Sequence, residues 1–142
     1  MNNFNPLKSY TQIAAQTASP GLLVLMLFDR ALRSLHTSLA GFEYTDPRQR
    51  NETIHNNLRH AVDIIRLLNN SLDLEQGGEL AGTLRNLYRY FEDRLLKSNL
   101  QKRRDGVDEV IMHLKPLRDS WAEILSKQAQ EPQEVQLLAN LA

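Results

Sequence analysis

Four histidines, His36, His55, His60 and His113, are the first residues to test for chemistry, because imidazole ligates metals and moves protons near neutral pH. A metal site in a helical bundle draws Glu-x-x-His motifs from different helices onto one inward face. These histidines are spread over three segments and read as ordinary surface or boundary residues. The stretch "DLEQGGEL" has the start of a calcium loop, with acids at Asp73 and Glu75. Its twelfth position is Leu84, where such a loop needs a bidentate Glu, so it reads as a turn between helices. The densest basic run, "KSNLQKRR" ending at Arg104, reads as cations placed against the negative end of a helix dipole. No G-x-S-x-G motif and no arguable pair of buried carboxylates is present. No catalytic constellation, metal or cofactor is expected, and the chain does not read as an enzyme.

The composition narrows the classes further. Lys+Arg and Asp+Glu both total 17, for a formal net charge of zero. Affinity for nucleic acid comes mainly from uncompensated cations, so no nucleic-acid partner is expected. With no Cys, disulfides and thiolate chemistry are excluded and a reducing compartment fits. The opening "MNNFNPLKSYTQIAAQTASP" lacks the basic-then-apolar order of a signal peptide. At 142 residues a single domain is the expectation, with residues 1–18 as an N-terminal cap segment, 19–127 as the folded body and 128–142 as a tail.

Any binding residues would be positioned by four segments, each with helical spacing. The first opens at Ser19-Pro20, an N-cap followed by Pro, with a stripe at Leu25, Phe28, Leu32, Leu35 and Leu39, and ends near Gly41. The second opens at Asp46-Pro47, with Gln49 placed for a capping box, and carries Ile54, Leu58, Ala61, Ile65, Leu68 and Leu72. The third, from about Glu79 to Arg103, carries Leu80, Leu84, Leu87, Phe91 and Leu95. The fourth is capped by Asp105 and carries Val107, Val110, Leu114, Leu117, Trp121 and Ile124. Pro116 falls inside it and is expected to kink it. No segment alternates with period two, so an all-α antiparallel four-helix bundle is the economical fold.

The apolar residues exceed what one stripe per helix needs. "GLLVLMLF" holds seven apolar residues in succession from Leu22, far short of the roughly twenty a membrane span requires, so no membrane insertion is expected. Leu23, Met26 and Leu27 point away from the first stripe, Ile64 and Leu67 from the second, and Tyr90, Leu96 and Leu100 from the third. Surplus on three helices describes grooves that accept apolar side chains from elsewhere.

At this point the motifs become specific. "KSYTQIAAQTASP", "ASPGLLVLMLFDRAL", "SLDLEQGGELAGTLRNLYRYFEDRLLKSNL" and "LRDSWAEI" follow one another in order. Over roughly residues 8–125 the chain thereby resembles the flagellin export chaperones of the FliS family. Arg30 stands where the family usually has Gly, Arg89 where Asp is common and Ser98 where Ala is. The resemblance implies a cytoplasmic four-helix chaperone that binds the C-terminal segment of flagellin, prevents its premature polymerisation and passes it to the flagellar type III export machinery. An alternative is a helical adaptor regulating flagellar assembly through another export or regulatory protein. A homodimer is compatible with either. The client groove is expected to involve Tyr10, Leu23, Leu27, Ile64, Leu67, Tyr90 and Leu96, with Tyr10 anchoring an N-terminal segment that covers the groove when no client is bound. The end of the tail, with Pro132, Gln133, Val135, Leu137 and Leu138, loosely resembles the end of flagellin and suggests a client mimic.

Overall fold

A computed structural model describes residues 19–128. The expectations for Tyr10 and for the tail residues 132–138 lie outside the described residues. Four helices occupy nearly all of the described chain: α1 Pro20–Phe42, α2 Pro47–Asn70, α3 Leu74–Gln101 and α4 Asp105–Gln128. No strand is found among the described residues.

Each helix begins where its first orphan backbone donors find a partner. Ser19 has extended backbone and its hydroxyl accepts the Leu22 N–H at 3.3 Å, with Pro20 next in line. Asp46 accepts the Gln49 N–H at 3.0 Å ahead of Pro47. Asp73, first weighed as a calcium ligand, instead caps α3 by accepting the Gln76 N–H at 3.0 Å. After the turn that Asp73 starts, Gly78 adopts φ 56° and ψ −134° and breaks the helical path. Glycine suits that conformation because it has no Cβ to clash. The uninterrupted part of α3 therefore starts about where the sequence places it. At the other end Lys102 turns left-handed (φ 51°) and its ammonium bonds the Asn99 carbonyl at 2.8 Å, ending α3 inside the basic run. Arg103 and Arg104 pair with Asp105, Asp108 and Glu43 at 3.1–3.4 Å, which ties the run to neighbouring acids. α4 continues helical through Pro116 to Gln128. The carbonyl that loses its donor is that of Met112, whose side chain is 63% exposed, so the gap faces water.

α1 packs on α2, α2 on α3, α3 on α4, and α4 returns to α1, so the helices form a ring. With connections confined to residues 43–46, 71–73 and 102–104, neighbours must run antiparallel. Leu35, Ile54, Leu58, Ile65, Phe91, Leu95, Val107, Val110 and Leu114 are fully buried in a single core. The α1 stripe is rotated from the expected one. Val24, Ala31, Ser34 and Ser38 are buried beside Phe28 and Leu35, while Leu25, Leu32 and Leu39 are only partly covered. The reason is size: α1 approaches α2 through small residues, and a Cβ on Gly41 would meet the Thr53 methyl at 2.8 Å. A leucine-counting stripe misses such a face.

Gly106 is similarly packed: an added Cβ would stand 2.9 Å from the Arg94 carbonyl oxygen of α3. Nothing lies within 4 Å of the corresponding position on Gly82. Gly106→Ala should lower the unfolding free energy in urea by about 1–3 kcal/mol through overpacking. Gly82→Ala, on the same scaffold, should raise it by up to about 1 kcal/mol through helix propensity. Equal effects at the two positions would refute the packing.

Candidate binding site

An up-down ring brings the start of α1, the end of α2, the start of α3 and the end of α4 to one end of the bundle. There they leave an apolar cleft of about 680 Å³, open mouth included. Val24 and Phe28 wall it from α1, Leu68 and Leu72 from α2 and its exit, Leu80, Leu84 and Tyr88 from α3, and Leu117, Trp121 and Ile124 from α4. Apart from Ser71 and Ser120 the walls are hydrocarbon or aromatic. Leu80 is 52% exposed, because it sits on the first turns of α3 beyond the end of α2, at the cleft rather than in the core. Tyr88 is 3% exposed, and burial pushes its phenol up to about 12, so it stays a neutral hydroxyl against the cleft.

Two contacts hold the α4 wall in place. Trp121 Nε1 donates to the Gly21 carbonyl at 2.7 Å, and Arg118 Nε donates to Asp29 Oδ1 at 2.7 Å. Both join "LRDSW" to "SPGLLVLMLFD", two stretches singled out separately in the sequence. α1 and α4 meet closely enough here that a Cβ on Gly21 would stand 2.6 Å from a Leu125 methyl.

A second depression runs between α2 and α3. Its floor is Leu58, Val62 and Leu95, its wall the 47% exposed Leu96, and its rim His55, Arg59, Asp63, Arg66 and Asn99. Arg66 crosses to Glu92 at 2.7 Å and Asn99 to His55 at 3.0 Å.

The six expected groove residues that lie among the described ones do not converge on one surface. Leu96 belongs to the α2–α3 depression. Tyr90, six residues earlier, lies on the other flank of α3, where its hydroxyl donates to Glu109 of α4. Ile64 is a correction: at 3% exposure it belongs to the core cluster and has no surface to offer. Leu27 also packs against the core, and Leu23 is half-buried on α1. Leu67 is 54% exposed. Arg30, the residue standing in place of Gly, reaches His60 at 3.5 Å and leaves α1 and α2 in close contact.

The sequence reading missed Tyr88 and the cleft. The signal was available: Leu84, Tyr88 and Phe91 share one helical face at spacings of four and three, whereas Tyr90, two residues on, must point elsewhere. Glu52 precedes His55 by three residues, a spacing metal sites use, but Glu52 pairs with Arg48 at 3.1 Å and His55 with Asn99. No metal-ligand cluster is found among the described residues, and no described helix is long and apolar enough to cross a membrane.

A four-helix bundle with an apolar end cleft and a lateral groove is a scaffold for holding apolar side chains of another segment. Comparison with known proteins gives the family. The profile "Flagellar protein FliS" matches residues 2–128, and the chain belongs to the FliS family. The flagellar secretion chaperone FliS of Salmonella typhimurium is 35% identical over 126 residues, 85% of this chain and 90% of its own. That of Bacillus subtilis is 29% identical over 127 residues, covering 89% and 91%. That of Campylobacter jejuni is 31% identical over 124 residues, covering 87% and 94%. These relatives are named as chaperones, not as enzymes.

Trp121→Phe keeps the ring in the cleft and removes the bond to Gly21. It should destabilise the protein by about 0.5–1.5 kcal/mol, the net worth of one hydrogen bond to a carbonyl that keeps its helical partner; no change in urea midpoint would discount the contact. A second prediction concerns Tyr90. Hydrogen bonds from the Tyr90 hydroxyl and from Arg94 hold the Glu109 carboxyl below its ordinary value of 4.5. A carboxylate depressed on folding stabilises above the unfolded value and loses that contribution as pH falls through the folded one. The stability gap between the unaltered chain and Glu109→Gln should therefore be steady at neutral pH and shrink below pH 4.5. The gap is small, since the cluster is at the surface and screened. A gap independent of pH would show that the cluster is not coupled to folding.

Proposed function

We propose that this protein is a cytoplasmic flagellar secretion chaperone that binds the C-terminal segment of flagellin, keeps it from polymerising prematurely and assists its delivery to the flagellar type III export apparatus. The observation that carries the reading is the apolar cleft, built from the same stretches, "SPGLLVLMLF", "GGELAGTLRNLYRY" and "LRDSW", that carry the family resemblance. A segment that is unfolded before assembly can fold onto a chaperone and wrap a large surface. Burial of its apolar side chains supplies roughly 25 cal/mol per Å², against which stands an ordering cost of about 2–5 kcal/mol. The cleft takes the larger apolar anchors. Leu67 and Leu96 extend the contact along the outside of α2 and the α2–α3 depression, with Leu23 at the α1 edge. Such binding needs no cofactor and no nucleotide.

Calorimetry with a synthetic C-terminal segment of the host's flagellin tests this. The unaltered chain should bind with a Kd of about 1 μM or tighter, near −8 kcal/mol. Leu96→Glu and Leu67→Glu, each exposed enough to fold normally, should weaken binding by at least about tenfold by placing a charge against apolar client surface. Absence of heat with the unaltered chain refutes the proposal. Normal binding by both variants would confine the client to the end cleft.

A further inference from the structure

The α2–α3 depression differs from the end cleft in its polar chemistry, which is fixed by a chain of three residues. Lys102 Nζ lies 2.5 Å from Asn99 Oδ1 and 2.8 Å from the Asn99 carbonyl. An ammonium only donates, so the amide atom facing Lys102 must be the oxygen. The amide nitrogen is then the atom that faces His55 Nδ1, at 3.0 Å. Because that nitrogen donates, Nδ1 must present its lone pair, and the ring hydrogen resides on Nε2. The left-handed Lys102 at the end of α3 thus sets which nitrogen of His55, on α2, is a donor.

Arg59 stands one helical turn from His55 on the same face and lines the same depression. Arg66 is satisfied by Glu92 at 2.7 Å, and Asp63 leans on Arg66 at 3.9 Å. Arg59 has no ion-pair partner among the described residues. The depression therefore offers an apolar floor (Leu58, Val62, Leu95) with a free guanidinium and an N–H donor side by side at one end.

We infer that this depression selects a client segment in which an apolar side chain and a carboxylate lie about one helical turn apart, the apolar group seated against Leu96 and the floor and the carboxylate bound by Arg59 and His55 Nε2–H. The inference rests on the client reading above and adds to it the class of side chain that the groove reads. Apolar burial gives affinity without much selectivity. A carboxylate matched to a fixed donor pair discriminates, because a client lacking it leaves two donors facing a desolvated surface.

Two measurements test it. In the free protein, ¹⁵N chemical shifts of the His55 ring should show the hydrogen on Nε2; a hydrogen on Nδ1 overturns the donor assignment. In calorimetry with the flagellin C-terminal segment, each Asp and Glu of that segment is replaced in turn by its amide, against the unaltered chain, Arg59→Gln and His55→Phe. One acidic position should lose affinity about tenfold when neutralised, Arg59→Gln should lose a similar factor, and the two together should lose little more than either alone. His55→Phe, which keeps the ring and removes the donor, should weaken the same position. Full affinity in both chaperone variants, or additive losses at every client acid, overturns the inference while leaving the chaperone reading intact. Failure of the unaltered chain to bind overturns both.

Discussion

The bond from the Trp121 indole to the Gly21 carbonyl, with the Asp29–Arg118 ion pair two turns along α1, is the contact on which the cleft end of this protein depends. Every other helix pair in the ring is joined by a short connection and brought together by the chain itself. α4 and α1 have no such link and must recognise each other through side chains. Asp29 and Arg118 are 39% and 32% exposed, so their attraction is modest in energy. Their contribution is direction: with the indole bond they fix how α4 lies against α1. Trp121 has a double part, since its nitrogen makes the tie while its ring is a wall of the cleft. Releasing the tie would move a wall.

The flanks of α3 divide the remaining labour. One flank, through Tyr90 and Arg94, is stitched to Glu109 of α4 by charge-assisted hydrogen bonds. The other faces α2 across a depression bridged by the Arg66–Glu92 and His55–Asn99 contacts. Between the bridges the apolar floor stays open. The face of α3 between the flanks carries Phe91 and Leu95 into the core and Tyr88 to the cleft. A single helix thus contributes to core, cleft and lateral groove, which explains why its apolar residues exceed one stripe.

Helix number, the caps at Ser19 and Asp46 and most of the core were legible in the sequence, because capping residues and three-four spacing act locally; the cap at Asp73 was not, since that stretch read as a turn. The α1 face was less so: Ala31, Ser34 and Ser38 are buried by a close helix approach, and small residues carry little periodic signal. Ile64 and Leu67 looked alike, both lying off the main α2 stripe. Only the position of α1 decides that one is core and the other surface. Tyr90 was separable from Tyr88 by angle alone, since Phe91 and Leu84 mark the inward face. The cleft itself could not be read from any one segment, because its walls come from all four helices and meet only when α4 closes on α1. Most of its walls fall within the stretches that carry the family resemblance, yet none of the described residues expected to form the groove lines it.

The placement of that closure has a consequence for how the protein comes into being. Contacts between sequence neighbours form early and fast in chains of low contact order, so α1, α2 and α3 can associate while the rest is still being made. Their shared end has no fourth wall until translation has passed Trp121. At roughly 5–20 residues per second, the stretch from Gln101 to Trp121 takes about 1–4 seconds, during which the cleft is an open trough. Of the features the four helices build together, the cleft is therefore completed last.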